Sequence, residues 1–418
     1  VKALFVESRP LNGLGPLARL AARGHRVDLA TAAWEALART DPEAVEGARA
    51  SVGLVPLPAG STGDAEAIEA ALRRVGRRLA DYEAVLTLAD DAVETAAHLA
   101  RRVGRVHATP EAVARAKDKA ETRRLLTAAG LPQPNHARVR DLDDARAAAA
   151  AIGYPVVVKP ARLSAARGVS RADDPVDLEA AVTVAARATQ QAGRGGDPIL
   201  IEGLVEGPQV SAEILSRGRE RLVLGFTDRL PPLGGFAERG GAFPAAFPME
   251  AEARRVAAAA LDAIGFTDGA AHVEMRCGPN GPVVIEINPR LAGFVVPELV
   301  EVATGLDVYD ALVRLHAGGS LPTAPAESRV GALRPVFAPR AGVLRGIDVT
   351  RARSAPGVTG VYVFRSPGDR VRVAADNRDR LGAVVAAAGT AEEAGLAAEA
   401  ACARVEVAYE LESSSRAR

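Results

Sequence analysis

At 418 residues the chain exceeds one ordinary hydrophobic core, so two or three domains are expected. Hydrophobic residues at 48% and charged residues at 25% describe a soluble globular protein, and a formal net charge of zero gives no electrostatic footprint for nucleic acid or an anionic membrane. Two cysteines, Cys277 and Cys402, cannot build a disulfide framework, and no apolar run reaches the length of a membrane span, so a reducing cytoplasm is the expected location.

The opening Val-Lys-Ala-Leu-Phe-Val-Glu reads as a strand and not as a signal peptide. Residues 1 to 108 alternate strands at Lys2–Glu7, Val27–Thr31, Ser51–Leu57, Ala84–Leu88 and Arg105–Ala108 with helices at Leu14–Arg23, Asp64–Leu79 and Asp91–Val103. Such βαβ alternation predicts a parallel sheet. The loop Asn12-Gly13-Leu14-Gly15 lacks full GxGxxG spacing, so it reads as a substrate-contacting loop and not a dinucleotide site. Thr109-Pro110-Glu111 supplies an N-cap and an acidic first turn for a helix expected to continue to Ala129.

An Ala-rich helix at 143–151 precedes a strand whose β-branched run ends at Lys159. Only four of the 52 basic residues are lysine (Lys2, Lys117, Lys119 and Lys159), so a lysine kept in an apolar strand marks a place for a compact charge. The loop after it, Arg162–Ser170, contains Ser164, Arg167 and Gly168 and fits a phosphate clamp. The competing reading is a strand-end lysine reaching for water.

Ile199–Gly207 is a strand breaking into a connector, followed by Gln209, Ser211 and Glu213 alternating with Val210, Ala212 and Ile214. Thr227–Pro248 is rich in Gly, Pro and Phe, lacks periodicity and contains Glu238, as a binding loop or lid does. Helix Ala251–Ile264 leads into a hairpin within Ala270–Gly293. A five-residue loop, Gly278–Pro282, would set Glu274 opposite Glu286 and His272 opposite Asn288, with Pro282 outside the ladder. Facing carboxylates repel. A cation between them reverses the sign, and oxygens from Glu, Glu and Asn suit Mg²⁺ completed by phosphate oxygens. Arg290 would add charge beside such phosphates; the competing reading is an exposed hairpin with scattered charges. Helices Pro297–Ala303 and Val308–His316, a linker Gly318–Pro325, strand-rich sequence Val330–Val373, helix Glu392–Ala403, strand Val405–Tyr409 and a disordered tail Ser413–Arg418 follow. This last region offers no catalytic constellation.

The order of motifs resembles the ATP-grasp superfamily of carboxylate–amine ligases: Asp118-Lys119, Lys159-Pro160, the hinge Ile201–Gly207, and Glu274 followed by Glu286-Ile287-Asn288-Pro289-Arg290. Pro356-Gly357-Val358 and Arg380-Leu381-Gly382 look like the C-terminal domain of L-amino acid ligases, which make dipeptides. The resemblance implies an α/β fold with α+β parts. A Rossmann-like domain would span 1–108, an ATP-grasp domain 109–318 with a mobile lid at 135–205, and an α+β domain 319–418.

It further implies Lys119 and Lys159 on the ATP phosphates, with Ser164 and Gly168 in the loop that covers them. Glu202 would meet the adenine amino group, Gly203, Leu204 and Val205 would line adenine (Val205 through its backbone), and Gln209 holds the ribose position, where an acidic residue is usual. Glu274, Glu286 and Asn288 would hold one or two Mg²⁺, replaceable by Mn²⁺, with Lys159 and Arg290 as catalytic cations. Glu238, His272, Arg290 and Gly293 would face substrate, Glu238 toward an amino group. The covering loop departs from the usual run of glycines, keeping Gly168 beside Ala165 and Ala166. The implied reaction joins a small-molecule carboxylate to an amine through an acylphosphate, releasing ADP and phosphate, in a cytoplasmic protein compatible with a homodimer. The same motifs admit bicarbonate or formate as the acid, a nucleotide-precursor amine, or an ATP-binding module without turnover.

Overall fold

The computed structural model describes residues 1–8, 14–40, 42–230, 238–323, 329–374 and 376–410. Asn12 and Gly13 of the first loop, the centre of the 227–248 segment, the end of the expected linker and the expected disordered tail lie outside the described residues.

The N-terminal sheet is parallel, ordered Val52–Pro56, Arg26–Thr31, Lys2–Val6, Ala84–Leu86. Two helices, Trp34–Thr40 and Pro42–Ser51, occupy a crossover that periodicity does not mark. The expected strand Arg105–Ala108 is irregular. Arg105 donates to the carbonyls of Tyr82 and Ala80, and Val106 O accepts from His316 Nδ1 at 2.7 Å. Side chains, not a neighbouring strand, tie this segment down.

The long helix expected after Thr109 breaks at Asp118 into Pro110–Lys117 and Lys119–Ala128. Asp118 is extended (φ −108°, ψ 100°), and its carboxylate accepts from the N–H groups of Ala120 and Glu121. The break turns Lys117 toward Asp90 and starts a new helix at Lys119.

Strands His136–Val139, Ile199–Gly203, Val156–Pro160 and Ser170–Ala172 form a second, antiparallel sheet. Helix Leu142–Ile152 and a 17-residue helix, Pro175–Gln191, pack on it; the latter has no counterpart among the sequence expectations. This unit has its own core, drawn from residues between Val139 and Ile201.

The central antiparallel sheet is ordered Glu220–Asp228, Gln209–Arg217, Gly269–Gly278, Gly281–Asn288. Glu274 pairs with Glu286 and His272 with Asn288, as the alternation predicts, but by another route. The ladder continues to Gly278 and Gly281, so Cys277 faces Pro282, and a bulge beyond Glu274 leaves Ile285 as the extra residue. Pro282 therefore lies inside the ladder, tolerated because its strand is the edge of the sheet.

Strands Gly241–Phe243, Val330–Phe337, Arg380–Ala388 and Val358–Val363 form a fourth sheet, beside a small one of Arg370–Val371, Gly342–Asp348 and Glu406–Glu410. The segment 227–248 thus contributes a strand to a sheet otherwise built beyond residue 329. Its two glycines permit the approach: a Cβ on Gly240 (φ +111°) would lie 2.1 Å from Leu333 O, and one on Gly241 would lie 2.0 Å from Asp228 O. One core cluster runs from Phe5 and Leu29 through Leu215, Leu299 and Tyr309 to Leu333 and Val385, so these regions pack as one body.

Gly240→Ala is expected to cost more than about 2 kcal/mol, from backbone strain plus the clash with the Leu333 carbonyl. A lowered thermal midpoint checks it; an unchanged midpoint would mean that Gly241–Phe243 does not dock this way.

Candidate functional site

Two contiguous cavities lie where the second sheet, the central sheet and the C-terminal sheet meet. The larger, about 670 Å³, is lined by Lys119, Lys159, Glu202, Gly203, Leu204, Val205 and Gln209. The smaller, about 220 Å³, is lined by Ser164, His272, Asn288, Arg290, Gly293 and Arg380. Ala165, Arg229, Glu238, Glu274, Glu286 and Asn377 border both. All the residues singled out in the sequence reach this pair of cavities except Gly168. A Cβ on Gly168 (φ +71°) would meet Ala188 Cβ at 2.7 Å, so this glycine lets the loop pack on a helix. Ser164 lines the smaller cavity, whose lining includes neither Lys119 nor Lys159. Ala165 and Ala166 take left-handed backbone angles, φ 59° and 57°, at about 1–2 kcal/mol of strain per residue that glycine would avoid.

In the larger cavity the buried Glu202 carboxylate is engaged on both oxygens, with Arg123 Nε and Lys159 Nζ each at 2.6 Å. It thus seats Lys159, and an adenine amino group would meet it only as a further partner. Burial opposes the Glu202 charge, but Arg123 and Lys159 outweigh it and hold the carboxyl at about 2. Arg123 is fully buried; its Nη1 and Nη2 donate to Val284 O at 2.8 Å and Ile285 O at 2.9 Å. Gly203 N–H and Leu204 N–H donate to Asn135 O and Pro155 O. Among the described residues, Val205 N–H makes no such bond.

Lys119 Nζ donates to Leu163 O at 2.6 Å and pairs with Glu286 Oε1 at 2.8 Å. Gln209 Nε2 donates to Glu274 Oε2 at 3.1 Å, and Arg229 Nη2 lies 3.2 Å from Glu274 Oε1. Burial opposes ionisation of Glu274, yet Arg229 and His272 keep it well below the usual carboxylate range.

In the smaller cavity Arg290 Nε pairs with Asp90 Oδ1 at 2.8 Å, and its Nη2 donates to Asn288 Oδ1 at 3.2 Å. Asp90 also binds Lys117. His272 Nδ1 lies 3.0 Å from both oxygens of Glu213, and its Nε2 lies 2.9 Å from Arg229 Nη2. Burial lowers the His272 pKa, but Glu213 and Glu274 more than reverse this and raise it. When neutral, His272 can accept from Arg229 at Nε2 only with its proton on Nδ1, toward Glu213. Glu238 bridges Arg229 and Arg380, and its N–H donates to Asn377 Oδ1 at 2.9 Å. Arg123, Arg229 and Asp90 are absent from the sequence reading, which names Arg380 only as part of the Arg380-Leu381-Gly382 motif, and the C-terminal region, expected to contribute no constellation, supplies Asn377, Arg378 and Arg380.

The donor chemistry fits magnesium. Glu274 and Glu286 offer hard oxygens across one register pair, and Asn288 offers an amide oxygen. Among the described residues no cluster of three or more His, Cys, Asp or Glu is poised for a metal, so phosphate oxygens and water would complete the shell.

Glu202→Gln leaves Arg123 and Lys159 buried without their carboxylate and is expected to cost about 3–5 kcal/mol near neutral pH. The Glu202 pKa is depressed from 4.5 to about 2, so its contribution is full above 4.5 and fades as pH falls toward 2. Urea unfolding of both proteins at pH 7 and near pH 3 should show the deficit narrowing on acidification; a constant deficit would contradict this account.

Residues 152–298 match the ATP-grasp domain family, and residues 334–410 match the L-amino acid ligase C-terminal domain 2. The chain is 34% identical over 318 residues to a Sinorhizobium fredii relative described as uncharacterized protein y4rH, covering 75% of this chain and 66% of that one. It is 31% identical over 216 residues to a D-alanine–D-alanine ligase of Desulforudis audaxviator, covering 46% of this chain and 68% of that one. Among solved structures, an L-amino acid ligase from Bacillus licheniformis superposes with a TM-score of 0.80 at 21% identity, covering 98% of this chain and 99% of that one. Phosphoribosylglycinamide synthetase from Anaerococcus prevotii gives 0.73 at 16% identity, covering 98% and 100%. With an ATP-grasp domain carrying the paired glutamates and an L-amino acid ligase domain closing the smaller cavity, the chain belongs to the ATP-grasp ligase family.

Proposed function

We propose that the chain is an ADP-forming carboxylate–amine ligase that activates a small acid, an amino acid or related compound, as an acylphosphate. The observation that supports this best is the junction of the two cavities at Glu274, Glu286, Glu238 and Arg229. A nucleotide in the 670 Å³ cavity would end its phosphates there, beside an acid in the 220 Å³ cavity.

In this reading the free Val205 N–H receives adenine and Gln209 the ribose, while Lys119 and Lys159 neutralise phosphate charge. Glu274, Glu286 and Asn288 would hold Mg²⁺, which when bound supplies further neutralisation at the phosphates. Arg290, held by Asp90, stands where the acylphosphate forms. The acid's carboxylate oxygen attacks the γ-phosphorus, the bond to the ADP oxygen breaks, and ADP leaves. An amine nitrogen then attacks the acyl carbon, the carbon–oxygen bond to phosphate breaks, and the departing phosphate takes the surplus proton. Closure of the lid unit excludes the water that would hydrolyse the intermediate. The small volume of the second cavity also suits bicarbonate, which product masses separate from amino acids.

ADP release and hydroxamate formation in hydroxylamine, measured over a panel of amino acids and small carboxylates, test the proposal. Acid-dependent hydroxamate supports it, and the absence of ADP with every acid overturns it. Glu286→Gln is expected to lower Mg²⁺-dependent turnover by about 100-fold or more with an unchanged circular dichroism spectrum. Retained turnover would place the metal elsewhere.

A further inference from the structure

The larger cavity contains a cation that the reaction described above does not use. Arg276 lines it together with Gln209. Its Nη1 donates to Gly207 O at 3.0 Å; among the described residues its Nε and Nη2 make no hydrogen bond, and no carboxylate pairs with it. Burial pushes its pKa down, with no acid to raise it in return. Glu274, two residues earlier on the same strand, is already engaged by Arg229 and Gln209.

The register places this charge. Arg276 pairs with Gln209 across the antiparallel ladder, so the two side chains leave the sheet on one face, with Cβ atoms about 4.5–5.5 Å apart. Gly207, whose carbonyl holds the guanidinium, lies two residues beyond Val205. Both partners put Arg276 at the end of the cavity where the reading above seats adenine and ribose. Gln209 itself stands at the ribose position, where an acidic residue is usual. A carboxylate there accepts from free ribose hydroxyls and repels an anion carried on them. An amide does not repel, and an adjacent arginine attracts. The same exchange, an acid lost and an arginine gained, turns a dinucleotide pocket from a free ribose to a phosphorylated one.

We propose that Arg276 and Gln209 form a subsite for a phosphate on the 2′- or 3′-hydroxyl of the ribose, so that adenine nucleotides phosphorylated on the sugar bind in competition with ATP. This rests on the nucleotide seating given above, with adenine at Val205 and ribose at Gln209. The Nε and Nη2 edge of the guanidinium is the fork that takes two phosphate oxygens. Nucleotides modified at either hydroxyl share this chemistry, and the experiment separates them.

Calorimetric titration of the protein with AMP, ADP, adenosine 2′,5′-bisphosphate and adenosine 3′,5′-bisphosphate tests the subsite. One bisphosphate or both should bind about 10- to 100-fold more tightly than AMP, the range of charge-assisted hydrogen bonds, and ATP should displace them. The tighter one identifies the hydroxyl. Arg276→Gln should abolish that advantage and leave ADP binding unchanged, whereas Gln209→Glu should weaken the bisphosphates and spare ADP. Bisphosphates no tighter than AMP overturn the proposal, as does an advantage that survives Arg276→Gln or resists displacement by ATP. Equal losses for ADP and the bisphosphates in Arg276→Gln would make Arg276 a general nucleotide contact and also overturn it. If the wild type binds neither ADP nor ATP, the nucleotide seating fails and takes this proposal with it.

Discussion

The buried Arg123 guanidinium joins three parts of the site that the chain brings together from far apart. One end binds Glu202 on strand Ile199–Gly203, and through it Lys159 on the neighbouring strand Val156–Pro160. The other end caps the carbonyls of Val284 and Ile285, the residues at the bulge of the glutamate hairpin. That bulge is what sets Glu274 opposite Glu286. Burying an arginine is tolerable only when its donors are satisfied. Here they are satisfied by the groups whose positions the site requires, so the cost of burial is converted into geometry.

A second regularity is that the polar and charged groups at the junction already have partners. Glu286 has Lys119, Glu274 has Arg229 and Gln209, Asn288 has Arg290, and Arg290 has Asp90. Binding a nucleotide and its metal would therefore exchange partners within an existing network instead of filling an empty one. Lys119 connects such an exchange to the covering loop, since the same ammonium holds Glu286 and Leu163 O.

The glutamate pair was legible because a strand alternates with period two, so the register followed from the hairpin alone even though the turn is tighter than expected. Lys159 was legible because lysine is scarce and this one ends an apolar strand, whereas Lys119 came from the resemblance alone. The arginines were not: in a chain that uses arginine as its default cation, nothing local separates Arg123 or Arg229 from a surface residue, and Arg380 stood out only as part of a motif with no site role attached. Their roles come from tertiary contacts with residues far away in the chain. Gly168 carries a packing constraint that the sequence does not reveal, since a Cβ there would meet Ala188 Cβ at 2.7 Å and Pro160 Cγ at 3.0 Å. The break at Asp118 was hidden by good helix formers on both sides, and the capping carboxylate decided it.

Gly241–Phe243 is a short strand, yet it means that sequence and space draw the boundary of the last domain differently. The sheet that closes the smaller cavity includes a piece of chain from some ninety residues upstream, and Glu238, which lies just before that strand, touches Arg380 on the sheet's third strand. Exchanging the region beyond 330 between relatives would separate partners that have to vary together. A transplant meant to carry substrate preference therefore has to take residues 238–243 along with the domain.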